Sequence, residues 1–140
     1  MNNTHRTPIQ LRFKDVDALG HVNNANHLSF FELARIHYFD DVIGAVIEWE
    51  KAGLILARAT VDYKQPVFLK DEVYVYTAFE KSGTTSFELS YRMVRVEKDK
   101  SETLLATGTS VIVCYNYAEK KPVPVPKEWI DKMKDFHSRG

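Results

Sequence analysis

Two carboxylates, a glycine, a histidine and a pair of asparagines follow one another closely: Asp15, Asp17, Gly20, His21, Asn23 and Asn24. They stand just ahead of a stretch with helical character. Either asparagine is a good N-cap, because its side-chain oxygen accepts a first-turn N–H that has no partner within the helix. A carboxylate held before a helix N-terminus faces free N–H donors and the positive end of the helix dipole. Acyl transfer needs that pairing, an acid group beside a carbonyl carbon and donors for the carbonyl oxygen. Two blander readings compete. Asp15 and Asp17 could only shape Asx turns, which such residues favour. A calcium loop also begins D-x-D, but Leu19 at its fifth position and Asn26 at its twelfth do not suit one.

The elements that must position this turn are one strand, one long helix and then further strands. Ile9, Leu11 and Phe13 alternate with Gln10, Arg12 and Lys14, the pattern of a short half-buried strand. The turn follows, and then a helix is expected over residues 24–42. That helix is apolar nearly all round, which calls for burial by more than one layer. Glu32 and Arg35 fall within its main apolar face. They read either as an ion pair at the helix edge or as a buried pair near the site or a subunit contact. A second helical turn is expected to end at Gly53. Strands are expected over residues 54–63, 72–80, 85–96 and 102–116, and prolines 122, 124 and 126 lead into a C-terminal helix at about 127–137 with Trp129, Ile130 and Met133 as its apolar stripe. The expected fold class is α+β, one domain over residues 1–140, with a curved antiparallel sheet against the long helix. Open sheet edges and an apolar helix point to a homodimer or homotetramer.

Composition narrows the function classes. Nineteen basic residues balance nineteen acidic ones, which gives nucleic acid and anionic membranes no electrostatic handle. No apolar run approaches the roughly 20 residues of a membrane span, and the N-terminus lacks the apolar core of a signal peptide. The lone cysteine, Cys114, sits in an apolar run and reads as a core residue. The remaining histidines, at 5, 27, 37 and 137, show no metal-ligand spacing, so neither metal nor cofactor is expected. A cytoplasmic location follows by default.

Two blocks resemble the 4-hydroxybenzoyl-CoA thioesterase family of the hot-dog fold: RFKDVDALGHVNNANHLSFFELAR at residues 12–35 and VDYKQPVFLKDEV at residues 61–73. The resemblance covers nearly the whole chain. It implies a hot-dog fold, a long central helix wrapped by about five antiparallel strands, and hydrolysis of an acyl-CoA to free acid and coenzyme A. The second aspartate of D-x-D-x-x-G, here Asp17, is then the catalytic carboxylate. The backbone N–H four residues after the glycine, here that of Asn24, polarises the thioester carbonyl. The turn is also similar to that of plant acyl-carrier-protein thioesterases. Leu19 stands where those enzymes have an asparagine and Pro66 where they have a glutamate, while His21 remains.

The same resemblance implies an active cleft between subunits and a rim that binds the phosphates of coenzyme A. His21 and Asn23 are candidate substrate contacts, and Arg58, Lys64, Lys81, Ser82, Gly83 and Thr84 are candidates for the rim. Each rim residue read alone is an ordinary solvated charge or hairpin turn, and His21 an ordinary turn-stabilising donor. The alternatives in function are an acyl-carrier-protein thioesterase, a hot-dog enoyl-CoA hydratase and a non-catalytic acyl-CoA-binding protein. The hydratase pattern D-x-N-P-x-H has its histidine five residues after the aspartate, whereas Asp17 and His21 are four apart with no N-P dipeptide.

Overall fold

The computed structural model describes residues 3–44 and 47–139, with the backbone alone at residue 49. Five strands form one antiparallel sheet in the order β1-β3-β4-β5-β2: β1 His5–Ile9, β2 Gly53–Tyr63, β3 Val73–Ser82, β4 Ser86–Val96 and β5 Glu102–Asn116. A short β6, Lys121–Pro122, pairs with the end of β5. The helices are α1 His27–Tyr38, a four-residue α2 Trp49–Ala52, and α3 Lys127–Ser138. This is the hot-dog fold, a curled sheet against a long helix.

Alternation set the inner face of the sheet. Val73, Val75 and Thr77 of β3 are buried, as are Phe87, Leu89, Tyr91 and Met93 of β4. Against them α1 buries Phe30, Phe31, Ala34 and Tyr38. The contact is so close at one point that only glycine fits: a Cβ on Gly108 of β5 would stand 2.5 Å from Cε2 of Phe31 and 2.6 Å from the Thr60 carbonyl oxygen. From α3, Trp129 and Met133 complete the core, with Ile130 packed at its margin.

Two expectations need correction. The first strand is His5–Ile9, and of the alternating run expected to form it, Ile9 to Lys14, it contains only Ile9. It ends at Ile9, because its partner β3 begins at Val73, the residue opposite Ile9. Beyond that point no neighbour offers ladder bonds, and Phe13 lies 84% exposed in a 3-10 turn, Phe13–Asp15. The long helix is not uniform either. It opens with a 3-10 turn, Asn24–Asn26, continues as α1, and closes with a π turn, Phe39–Ile43, in which the Gly44 N–H donates to the Phe39 carbonyl. Residues 45 and 46, inside the expected second helical turn, lie outside the described residues.

Candidate active site

The turn before α1 is closed by backbone bonds. The Asp17 N–H donates to the His21 carbonyl at 3.0 Å, the Gly20 N–H to the Asp17 carbonyl at 3.1 Å, and Val16 bridges Val22. Gly20 has φ +88, a left-handed conformation that a side chain would strain. The Asn23 N–H then reaches back to the Asp15 carbonyl at 2.8 Å, and the Val22 N–H to the Val67 carbonyl at 2.7 Å. Residues 15–17 therefore run beside residues 21–23, and the segment after β2 braces the whole turn.

The two carboxylates differ in everything but spacing. Asp15 is 1% exposed and accepts from the Arg12 N–H at 2.9 Å and the Arg12 Nη2 at 3.1 Å. Burial works against its charge, but the bonds from the Arg12 side chain and backbone prevail and hold its carboxyl below the ordinary value. Its lone pairs are committed to structure. Asp17 is half-buried, and its Oδ1 accepts the Leu19 N–H at 2.9 Å. Its Oδ2 has no partner among the described residues and is free to meet a water or an electrophile.

The helix start offers a candidate donor. The Asn23 side chain accepts the Ala25 N–H at 2.9 Å and so caps the 3-10 turn, while the Asn24 N–H has no partner among the described residues. The Asn24 carbonyl is fixed instead: it accepts the His27 N–H and, at 2.9 Å, the hydroxyl of Tyr63 from the end of β2. Asn26 Nδ2 donates to the Asp15 carbonyl at 3.0 Å, tying the helix to the turn. Tyr63 also meets the buried His27 ring edge to face at 4.9 Å. Burial lowers the His27 pKa, so this ring stays neutral under the turn. Tyr63 and His27 adjoin the candidate site, and the motif spacing did not single them out. Their one sequence signal was position within the resemblance blocks, His27 in the first and Tyr63 in the second.

His21 is half-buried, with Nδ1 3.4 Å from the Val22 carbonyl, a long contact within the turn. The rim candidates do not assemble within one chain. Lys64 follows β2 and its N–H bonds the Leu105 carbonyl, whereas Ser86, just past the 83–85 turn, pairs with Val113. Eight residues along β5 separate those levels, about 26 Å at the rise of a strand. Lys81, Ser82 and Gly83 line a shallow cleft of about 250 Å³ at the far end of the sheet, with Thr84 beside it, and Arg58 lies exposed on β2. Glu32 and Arg35 form no ion pair; Arg35 Nη1 instead donates to the Tyr91 hydroxyl at 3.2 Å. No group of three or more His, Cys, Asp or Glu side chains among the described residues is arranged to hold a metal. No described helix is long and apolar enough to cross a membrane.

The turn thus holds an open carboxylate and the helix start an unpartnered N–H, on a hot-dog scaffold. The thioesterase-like superfamily model matches residues 11–133, and the chain belongs to that superfamily. An acyl-CoA thioester hydrolase of Escherichia coli, YbgC, is 29% identical and covers 96% of this chain and 99% of its own. A Thermus thermophilus thioesterase solved with coenzyme A and zinc is 31% identical, with TM-score 0.78, over 96% of this chain and 95% of that one. A substituted 4-hydroxybenzoyl-CoA thioesterase, solved with 4-hydroxybenzoyl-CoA, is 15% identical with TM-score 0.83, over 94% and 99%. That last likeness speaks for the fold.

Proposed function

We propose that this protein is an acyl-CoA thioesterase in which Asp17 is the nucleophile or general base and the Asn24 N–H is the oxyanion donor. The observation that carries the reading is the contrast within the turn: Asp15 is consumed by Arg12, while Asp17 keeps one carboxylate oxygen open. Thioesters are activated acyl donors, so their hydrolysis requires a carboxylate and a polarised carbonyl and no cofactor. As a base, Asp17 takes a proton from water as its oxygen attacks the carbonyl carbon. As a nucleophile, it forms a mixed anhydride that water then opens. Either way the C–S bond breaks, the thiolate leaves and is protonated, and the acid is released. Charge gathering on the carbonyl oxygen meets the Asn24 N–H at the positive end of the helix.

A homodimer belongs to the same reading. Strand β2 is an eleven-residue sheet edge, and exposed edges of that length invite pairing. Antiparallel pairing of two β2 strands would set the far sheet end of one copy, with its 81–84 hairpin, near the catalytic turn of the other. That arrangement would let Lys64 of one copy and the hairpin of the second serve one coenzyme A, which a single chain cannot do. His21 and Asn23 flank the same opening, and a cytoplasmic setting goes with this substrate.

Release of free thiol from a panel of acyl-CoAs tests the proposal, with sedimentation at micromolar concentration alongside. Turnover that yields free acid supports it. Binding without thiol release would instead favour an acyl-CoA-binding protein, and water addition to a 2-enoyl-CoA without thiol release a hydratase. Activity on acyl-carrier-protein thioesters but not on acyl-CoAs would move the reading to that carrier. A 16.2 kDa monomer would remove the shared rim.

A further inference from the structure

The turn that carries Asp17 leans on a single peptide plane of the loop after β2, residues 64–72. There the Val67 carbonyl accepts the Val22 N–H at 2.7 Å. Val22 lies between His21, whose carbonyl takes the Asp17 N–H, and Asn23, whose side chain caps the helix start. The other end of the same Val67–Phe68 peptide is held as well, because the Phe68 N–H donates to Asp71 Oδ2 at 2.8 Å. A peptide unit is planar and stiff, so whatever fixes the Phe68 N–H also aims the Val67 carbonyl. Packing does not do this alone. The Val67 side chain is buried, but Phe68 and Leu69 are exposed, which leaves the rotation of that plane to its hydrogen bonds.

Arg95, on β4, fastens that carboxylate. Its Nη1 donates to Asp71 Oδ2 at 3.3 Å and to the Pro66 carbonyl at 3.4 Å. One guanidinium thus ties the peptide before Val67 directly and the peptide after it through Asp71. Its Nε donates to Glu97 at 2.9 Å, and Glu97 also accepts the Thr103 hydroxyl, which anchors the whole set to the end of the sheet. The Arg95 and Asp71 side chains are only 21% and 15% exposed, which separates them from the solvated surface pairs that contribute almost nothing. The Asp71 N–H closes the 68–71 turn on the Phe68 carbonyl at 3.0 Å, and the Val96 N–H takes the Glu72 carbonyl at 2.9 Å where the loop enters β3.

Resting on the thioesterase reading above, we propose that Asp71 and Arg95 are positioning residues for the hydrolysis, acting through the Val67–Phe68 peptide on the turn. Together they set the Val67 carbonyl, and that carbonyl sets Val22. Asp17 stands on one limb of the turn, bonded through its N–H to His21, and Asn24 follows the other limb. A shift of Val22 therefore changes the distance between the carboxylate and the oxyanion donor. Such shifts are costly, since a misplacement of about 1 Å can lower a rate on the order of 10²-fold. Asp71 and Arg95 do no chemistry themselves, so their loss falls on turnover and spares substrate binding. Arginine suits the task because its rigid fork serves three oxygens at once, those of Glu97, Asp71 and Pro66, which a lysine ammonium on a flexible stem does not reproduce.

The test compares Asp71→Ala, Asp71→Asn and Arg95→Gln with Tyr76→Phe, which removes an exposed hydrogen bond to Glu102 elsewhere on the sheet. Two quantities are read well below the melting temperature of each variant: acyl-CoA turnover and hydrogen exchange at the Val22 amide. Asp71→Ala and Arg95→Gln should each lower kcat about ten- to hundredfold with KM within about twofold. Val22 exchange should quicken at least about tenfold while amides in the middle of β4 keep the parent rate. Asp71→Asn retains an oxygen for the Phe68 N–H and should recover kcat to within about threefold of the parent. Joining Arg95→Gln to Asp71→Ala should slow turnover no further, since both act through one peptide. Tyr76→Phe should move neither quantity. If Arg95→Gln does not fold, Asp71→Ala decides, as it truncates one side chain in a loop between strands. A lower melting temperature with parent kcat and parent Val22 exchange would overturn the proposal, as would an equal loss in Asp71→Asn and Asp71→Ala. Absence of thiol release from every acyl-CoA by the parent protein would strike the thioesterase reading instead; Val22 exchange would then by itself uphold or overturn the hold on the turn.

Discussion

Exchanging Asp15 and Asp17 one at a time for asparagine should give opposite results, although the two residues share one turn. The Asp17 side chain makes a single intramolecular hydrogen bond, from the Leu19 N–H, and an asparagine Oδ1 can accept it equally well. Stability should therefore change by less than about 0.5 kcal/mol. What disappears is the open carboxylate of the turn, so kcat should fall by ~10²–10⁴. For Asp15 the reverse holds. Asparagine presents one oxygen and an NH₂ to an Arg12 that offers only donors, leaving a buried donor facing donors. Because the Arg12 side chain is more than half exposed, the cost is put at about 2 kcal/mol rather than the larger figure for a fully buried pair. For a chain of 140 residues, unfolding entropy near Tm is about 0.3 kcal/mol/K, so Tm should drop by about 7 °C. Since the Asp15 carboxyl is held below its ordinary value of 3.8, the stability it adds is complete above that pH. It is lost as pH falls through the lower folded-state value, so the Tm gap should close in acid. Single-turnover hydrolysis and thermal melts from pH 2 to 7 measure both arms. A stable Asp17→Asn protein with near-normal kcat, or an Asp15→Asn protein crippled in kcat at unchanged Tm, would refute the assignment.

Tyr63→Phe keeps the ring against His27 but removes the hydrogen bond to the Asn24 carbonyl. With that peptide loosened, kcat should fall about tenfold, a loss of about 1.4 kcal/mol in the transition state, while KM stays within twofold; an equal change in both would point to a general disturbance. Gly108→Ala should cost about 3 kcal/mol by driving a methyl into Phe31 and the Thr60 carbonyl, and denaturant unfolding within 1 kcal/mol of the parent would contradict that packing. Burial pushes the Cys114 thiol up to about 11, so a thiol reagent at pH 8 should label it only on unfolding; rapid labelling of the folded protein would show the end of β5 to be open.

The strand periods and the single long helix could be read from the chain because apolar alternation and helix-face patterns are local properties. The fifteen residues of β5, Glu102–Asn116, match the expected strand end to end, since turn residues bound it on both sides. The order of Asp15, Asp17, Gly20 and the asparagines likewise announced a polar turn feeding a helix. What the chain order could not carry is which groups are already spent. Asp15 and Asp17 have the same chemistry and nearly the same neighbours, and only the fold of Arg12 over one of them distinguishes a structural carboxylate from an open one. Strand β1 stops at Ile9 for a reason outside its own sequence, the start of its partner at Val73. Glu32 and Arg35, spaced for a pair on one helix, part because Tyr91 on a strand fifty-six residues away takes the guanidinium. Tyr63 reaches the Asn24 carbonyl across thirty-nine residues. Local pattern is fixed by bonds along the chain, whereas the partner of a polar group is decided by whichever donor or acceptor the folded sheet brings within 3 Å or so, and that is a property of the tertiary structure alone.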